Sequence, residues 1–366
     1  MGRLRRASMG CLKRPFAKQG VTMKKTIPLA LATTLLAACG GSGSGGGTGE
    51  QIKIVGSSTV YPFTTAIAEQ FQRANPGTSV IVESTGTGAG LKLFCSGVGG
   101  NFPDLTNASR RIKSSEFEDC SKNGVKQIVE FPIGIDGLTV IESVNAAPMK
   151  LTLRDLYAGL AATPFDKPQT AKTWKDVNPA LPATAIRVLG PPPTSGTRDS
   201  LNELFLQKGC ETDPAMKALK DSDSDKHKDI CTKIREDGAF VEAGENDNLL
   251  VQKIATDPNA FGVLGYSFLE ENTDKVRAVE LNGIGPTAAT ITDLTYPGAR
   301  RIYIYAKGEH MQAKPAMREF LAAYAKATGP DGLLQQRGLV PFGPADAAAA
   351  QEQATKLAPL SAADLK

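Results

Sequence analysis

The sequence predicts an α/β fold, and three observations carry that prediction. A short apolar strand, a Gly/Ser/Thr turn and an amphipathic helix follow one another three times in the first third of the chain, starting at Ile52, Val80 and Leu105. Strands that alternate with helices form a sheet whose turns gather at the strands' carboxyl ends, where ligands bind. The 366 residues, 41% hydrophobic and 22% charged, hold material for two or three domain-sized cores and exclude wholesale disorder.

The chain opens on an address. Residues 1–38 carry eight basic side chains and no acidic one, and the remainder holds 34 basic residues against 38 acidic. A nucleic-acid stripe is therefore not expected, since it needs clustered Lys and Arg in a favourable overall field. From Met23 the sequence reads Met-Lys-Lys and then a largely apolar, uncharged run to Ala38. This is the n-region and h-region of a secretory signal, too short to remain as a membrane span. Met1 and Met23 both stand as start candidates, with residues 1–22 as an upstream extension. The tetrapeptide Leu36-Ala37-Ala38-Cys39 resembles the bacterial lipobox, which implies lipidation of Cys39 and a mature chain beginning there. Gly40 to Gly49 holds seven glycines with only Ser and Thr between them, a flexible leash rather than a core.

Four further cysteines fall into two sequence-local pairs, Cys95 with Cys120 and Cys210 with Cys231, without the Cys-x-x-Cys spacing of metal hooks. Disulfides within these pairs agree with export. Each closes a loop of some two dozen residues, stabilising by about 3 kcal/mol by the chain-entropy argument.

In the body, Ile52 to Val55 predicts a strand, and Pro62 announces a helix with Phe63, Ile67, Phe71 and Ala74 on one face. Val80 to Val82 leads through a Gly-rich turn to a helix start marked by Leu91, Leu93 and Phe94. Leu105 to Ala108 is the third strand, with Ser115 and Glu118 as a capping box for the next helix. Val125 to Phe131 and Gly137 to Glu142 are strand-like, and a crossing between domains is placed near 133–143. Thr152-x-x-Asp155 opens a helix. Ile186 to Leu189 is a strand ending in the stiff loop Gly190 to Asp199, which becomes helix through Leu201, Leu204 and Phe205. The Asp- and Lys-rich stretch 211–229 predicts a solvated loop with a helix. Arg301 to Ala306 is a strand crossing back, with helices expected near 314–327 and 331–337. Trp174, Tyr303 and Tyr305 are assigned to core or crossing-strand positions, and His310, with no Ser or Cys partner motif, to the surface or a helix cap.

Each polar turn, taken singly, is an ordinary helix cap, although helix N-termini also bind anions through N–H groups that lack intrahelical partners. Together they form an ordered set: Gly56-Ser57-Ser58-Thr59-Val60-Tyr61-Pro62, Ser84-Thr85-Gly86-Thr87-Gly88-Ala89-Gly90, Asn107-Ala108-Ser109-Arg110, Thr194-Ser195-Gly196-Thr197-Arg198-Asp199 and Gly262-Val263-Leu264-Gly265-Tyr266. In this order the set resembles the PstS family of phosphate-binding proteins of ABC transporters, over about residues 51–345. The resemblance implies a two-lobed type 2 periplasmic-binding-protein fold, each lobe a central sheet flanked by helices, with two hinge crossings. Residues 51–141 and 299–366 are then a discontinuous lobe I and residues 142–298 lobe II, after a leader at 1–38 and a lipid-anchored linker at 39–50.

The same resemblance implies that phosphate is held by Ser58, Thr59, Thr87, Ser109, Ser195, Gly196 and Thr197. Two departures follow. Where the family carries an Asp after Ala-Ser this chain has Arg110, and Pro191 stands where an Arg precedes the loop Ser. The positive charge is expected to have moved to Arg110 and Arg198, as in a Ser-Arg branch of the family. Asp136 is either the acceptor for the proton of hydrogen phosphate or a turn-forming Asp before Gly. The expected function is a monomeric, membrane-tethered, extracytoplasmic binding protein that hands inorganic phosphate to a permease, with no cofactor, metal or catalytic residue. Binding of another tetrahedral oxyanion, sulfate or molybdate, and a secreted phosphatase are the alternatives, the latter lacking a legible nucleophile–base pair or metal-ligand set.

Overall fold

The computed structural model describes residues 50–329 and 331–365. The leader, Cys39 and the leash at 40–49 lie outside the described residues.

Strand β1 (Glu50–Gly56) places Ile52 and Ile54 on one buried face, as the period of two requires. Helix α1 (Tyr61–Ala74) has Pro62 in its first turn, where a missing N–H is tolerated, and buries Ile67, Ala68 and Phe71. Strand β2 (Thr78–Ser84), helix α2 (Thr87–Phe94), strand β3 (Leu105–Ala108) and helix α3 (Ser114–Lys122) complete the repeat. Two local expectations shift. Helix α2 begins at Thr87, because Gly86 at φ 81° ends the turn, and Leu93 is left exposed. Helix α3 is capped by Glu116 rather than Glu118, its carboxylate accepting the Lys113 N–H at 2.9 Å.

The strand-like stretches 125–131 and 137–142 fall into one strand, β4 (Ile128–Ser143), which starts at Ile128 rather than Val125. It continues through Pro132 because its register against its neighbour slips there, and a bulge tolerates a residue without an N–H. The later strands of the main sheet are β5 (Val188–Gly190), β6 (Phe240–Glu242), β7 (Phe261–Gly265), β8 (Val276–Ala278) and β9 (Ala299–Lys307). The sheet order is β2-β1-β3-β9-β4-β7-β5-β6, with β8 also on β4.

Strand β4 belongs to both halves of this sheet. Residues 128–137 pair antiparallel with β9, and Leu138 to Glu142 pair antiparallel with β7. One core gathers Ile52, Ile54, Phe71, Phe131, Ile304 and Phe320, and another gathers Val140, Leu156, Trp174, Phe205, Phe261 and Tyr296. The chain is thus two-lobed, with the lobes joined through β4 and through the entry to β9.

Helix α4 (Leu153–Leu160) has the predicted box, Thr152 Oγ1 accepting the Asp155 N–H at 3.0 Å and Asp155 accepting the Thr152 N–H at 2.9 Å. Helix α5 (Gly196–Ser200) runs on through a π-type turn, Leu201–Leu206, into Gln207–Cys210. The charged stretch expected as a loop with one helix forms two, α6 (Pro214–Ser222) and α7 (Ser224–Thr232), because Asp213 and Asp223 cap them. The disulfides join Cys95 to Cys120 and Cys210 to Cys231, the pairs expected. Helices α8 (Asp247–Thr256), α9 (Ala316–Ala327) and α10 (Pro344–Lys356) complete the layers; α10 was not foreseen, and only a short 3-10 turn, Gln335–Arg337, occupies 331–337.

His310 is buried rather than at the surface. Its Nε2 accepts the Gly99 N–H at 2.8 Å, so the ring proton sits on Nδ1 and points to Asp104 at 2.7 Å. Fully buried Asp104 also accepts from Lys314 Nζ at 2.8 Å and from the Lys53 N–H at 2.8 Å, a partner set that makes an interior carboxylate tolerable. Trp174 and Tyr305 are core residues, as expected.

Candidate functional site

The polar turns lie at the carboxyl ends of β1, β2, β3 and β5, and two of them touch across the lobes. Gly196 opens α5 against the β1–α1 turn so closely that a Cβ there would stand 2.6 Å from the Ser58 carbonyl oxygen and 2.9 Å from Thr59 Cα. Only glycine fits at this point. Within lobe I, Gly56 at φ 129° lets Asn107 approach, and the Ser57 N–H donates to the Asn107 carbonyl at 2.9 Å. Thr87 and Ser109 are joined in turn: their hydroxyls lie 2.8 Å apart, and the Ser109 N–H donates to Thr87 Oγ1 at 3.0 Å.

The cation at this junction is Arg300, near the start of β9. It stands in register opposite Asp136 on β4, at the crossing itself. Its Nε donates to Asp136 Oδ2 at 3.0 Å, its Nη2 to Thr59 Oγ1 at 3.0 Å and to Ser200 Oγ at 2.9 Å, and its Nη1 to Glu203. Burial works against its charge, but Asp136 and Glu203 outweigh that and hold the guanidinium more firmly protonated than usual. A planar guanidinium with several donors is suited to an oxyanion.

The residues singled out in the sequence separate on this geometry. Ser58, Thr59, Asp136, Ser195, Gly196 and Thr197 line one cavity of about 620 Å³ between the lobes. Ser58 Oγ donates to Asp199, and Ser195 Oγ caps α5 by accepting the Thr197 N–H at 3.2 Å. Thr87 and Ser109 are buried beside that cavity, and Ser109 opens on a second groove of about 530 Å³ that Arg110, Lys113, Glu203, Lys208 and Arg300 also line.

The two arginines expected to carry the charge are otherwise engaged. Arg110 forms a two-bond pair with Glu116 at 2.7 and 2.9 Å, because the α3 cap brings that carboxylate alongside. Arg198 is turned into lobe II: Nε donates to the Pro191 carbonyl at 2.9 Å, Nη2 to Glu242 at 3.0 Å, and the guanidinium lies 4.6 Å above the Phe240 ring. Burial pushes its pKa down, with Glu242 opposing. Asp136 accepts from Ser200 Oγ at 2.9 Å as well as from Arg300, so it orients donors.

Arg300, Glu203, Asp199 and Ser200 were not singled out in the sequence. The available signal for Arg300 was its place at the second crossing, just before an apolar strand; its register with Asp136 needs the fold. Asp199 and Glu203 lie four apart after the Ser-Gly-Thr turn, which puts them on one helix face.

Residues 42–326 match the PBP superfamily domain. Among the chain's relatives, protein SphX of Synechococcus elongatus is 34% identical over 307 residues, covering 81% of this chain and 79% of the relative. The phosphate-binding protein PstS of Staphylococcus saprophyticus is 32% identical over 302 residues, covering 79% and 81%. In three dimensions the chain is similar to the crystal structure of a possible phosphate binding protein from Planctomyces limnophilus, with a TM-score of 0.67 and 26% identity over 84% of this chain and 99% of that one. PstS from Borrelia burgdorferi shares the fold, with a TM-score of 0.54 at 20% identity over 80% and 99%.

Proposed function

The chain belongs to the PBP superfamily and to its PstS phosphate-binding proteins, and from that premise we propose that it captures inorganic phosphate between its lobes and delivers it to an ABC permease. It is a solute-binding protein, and PstS-like proteins of this kind work outside the cytoplasm. The two disulfides agree with that compartment. In the same reading Cys39 carries a lipid anchor and the protein acts as a monomer.

The observation that carries the reading is the meeting of hydroxyl turns from both lobes on one cavity, with the largely buried Arg300 guanidinium bonded to Thr59 and Ser200 behind it. Ser58 and Thr59 from lobe I face Ser195, Gly196 and Thr197 from lobe II, and Arg300 bonds Thr59 at their back. The first N–H groups of α5 and the Ser195 and Thr197 hydroxyls supply neutral donors, and Arg300 supplies the charge. Thr87 and Ser109 extend the donor set toward the second groove. The anion closes the lobes by bonding both at once, and the shared strand β4 and the entry to β9 act as the hinge.

Equilibrium dialysis of the purified protein against labelled phosphate, with sulfate and molybdate as competitors, tests this function. One saturable site per chain that unlabelled phosphate clears and that sulfate and molybdate leave filled supports it. Turnover of p-nitrophenyl phosphate, or preference for sulfate or molybdate, contradicts it.

A further inference from the structure

We propose that Glu203 is an internal occupant of the anion donors, a carboxylate that bound phosphate displaces; the proposal rests on the anion-binding reading above. Its Oε2 accepts from Ser109 Oγ at 3.1 Å and from Arg300 Nη1, so one carboxylate of lobe II lies across two donors attributed to the anion. One helical turn earlier, Asp199 does the same to Ser58 Oγ. Lobe I donors are thus tied to lobe II carboxylates along a single helix face.

That placement is not what helix physics favours by itself. Like charges four residues apart repel on a helix, and both side chains are directed at a site built for anions. Burial pushes the Asp199 carboxyl up, and the Glu203 charge adds to the shift, while the Ser58 bond opposes it. Glu203 lies within the π-type turn Leu201–Leu206, a winding that re-aims side chains relative to a regular helix. The arrangement persists because Ser58, Ser109 and Arg300 compensate the two charges.

An oxyanion arriving at Ser109 and Arg300 meets the Glu203 carboxylate at contact range, and the two negative charges repel. Glu203 has somewhere to go. Its side chain is 41% exposed, and it lines the groove of about 530 Å³ whose other walls include Lys113 and Lys208. A change of rotamer moves the carboxylate from Arg300 toward those ammonium groups, and the anion takes the vacated donors. The exchange makes the carboxylate a tether between the lobes that phosphate replaces, and it lowers apparent affinity by the work of displacement.

Calorimetric titration of the full chain and of its Glu203→Gln and Glu203→Ala variants with inorganic phosphate tests the exchange, with a thermal melt of each in phosphate-free buffer. Both variants are expected to bind about tenfold more tightly than the parent, since a competing charge is gone, and to melt lower without phosphate. Unchanged or weaker binding by both variants, with the parent binding normally, overturns the internal occupant and leaves phosphate capture standing. Binding by neither parent nor variants overturns phosphate capture, and the exchange with it. Binding by the variants but not the parent supports both.

Discussion

Arg300 and Asp136 face each other in register on the antiparallel strands that pass between the lobes, and the Arg300 Nε bonds Asp136 Oδ2 at 3.0 Å. The only residues on these two strands that cross-link the lobes' polar turns are therefore fixed by backbone pairing before any ligand arrives. Asp136 also takes the Ser200 hydroxyl, so its part is to hold Arg300 and α5 in one geometry. Asp136→Asn keeps the shape and removes the charge. It is expected to weaken phosphate binding by roughly 1–2 kcal/mol, about five- to thirtyfold, as read by calorimetry. A loss confined to phosphate, with another tetrahedral oxyanion bound as before, would instead make Asp136 a proton acceptor.

Gly196 governs how closely the lobes meet. A methyl group there collides with the Ser58 carbonyl and Thr59 Cα, backbone that cannot yield without separating the turns. Gly196→Ala is expected to lower phosphate affinity by at least tenfold while the melting temperature changes little, and small-angle scattering should show a more open particle with phosphate present.

Arg110 and Arg198 offer a contrasting pair. Arg110 makes a partly exposed ion pair with Glu116, so Arg110→Ala should cost about 0.2–1 kcal/mol of stability. Arg198→Ala leaves the Pro191 carbonyl without its donor and uncovers Phe240, which should cost about 1–3 kcal/mol. Phosphate affinity should stay within about threefold in both, because neither guanidinium bonds the donors grouped around Arg300. Denaturant melts and titrations on the same samples separate the two quantities.

The pH dependence of stability has a local source at the cleft mouth. Burial, with Glu245 adding, pushes Asp247 from 3.8 up to about 6. A carboxyl whose pKa rises on folding is bound more tightly by its proton in the folded protein, so stability falls as pH rises from 3.8 through about 6. Asp247→Asn removes that loss. Its unfolding free energy should match the parent's near pH 4 and exceed it above pH 6–7 by about 1 kcal/mol once solvent screening is allowed for, as read by denaturant melts.

Much of this architecture was legible in the residues, and the misses share a cause. Strand–turn–helix repeats, the Thr152 and Asp155 box and both disulfide pairs depend on neighbours in sequence, and local chemistry specifies them. The positive charge does not. Arg110 and Arg198 stood in the right motifs, but their partners Glu116 and Glu242 come from a cap register two residues off and from a distant strand. Arg300 stood outside every motif, and only the pairing of β9 with β4 brings it to Asp136. His310 was misplaced for the same reason, since Asp104 lies 206 residues away.

Titration of the Arg300→Ala protein with inorganic phosphate beside the parent tests the central claim most directly. The guanidinium is largely buried and bonded to Thr59 of lobe I and Ser200 of lobe II. Its removal is predicted to cost roughly 2–5 kcal/mol, a loss of about thirtyfold to several thousandfold, with the circular dichroism spectrum unchanged. An Arg300→Ala protein that folds and binds phosphate as tightly as the parent would contradict the account.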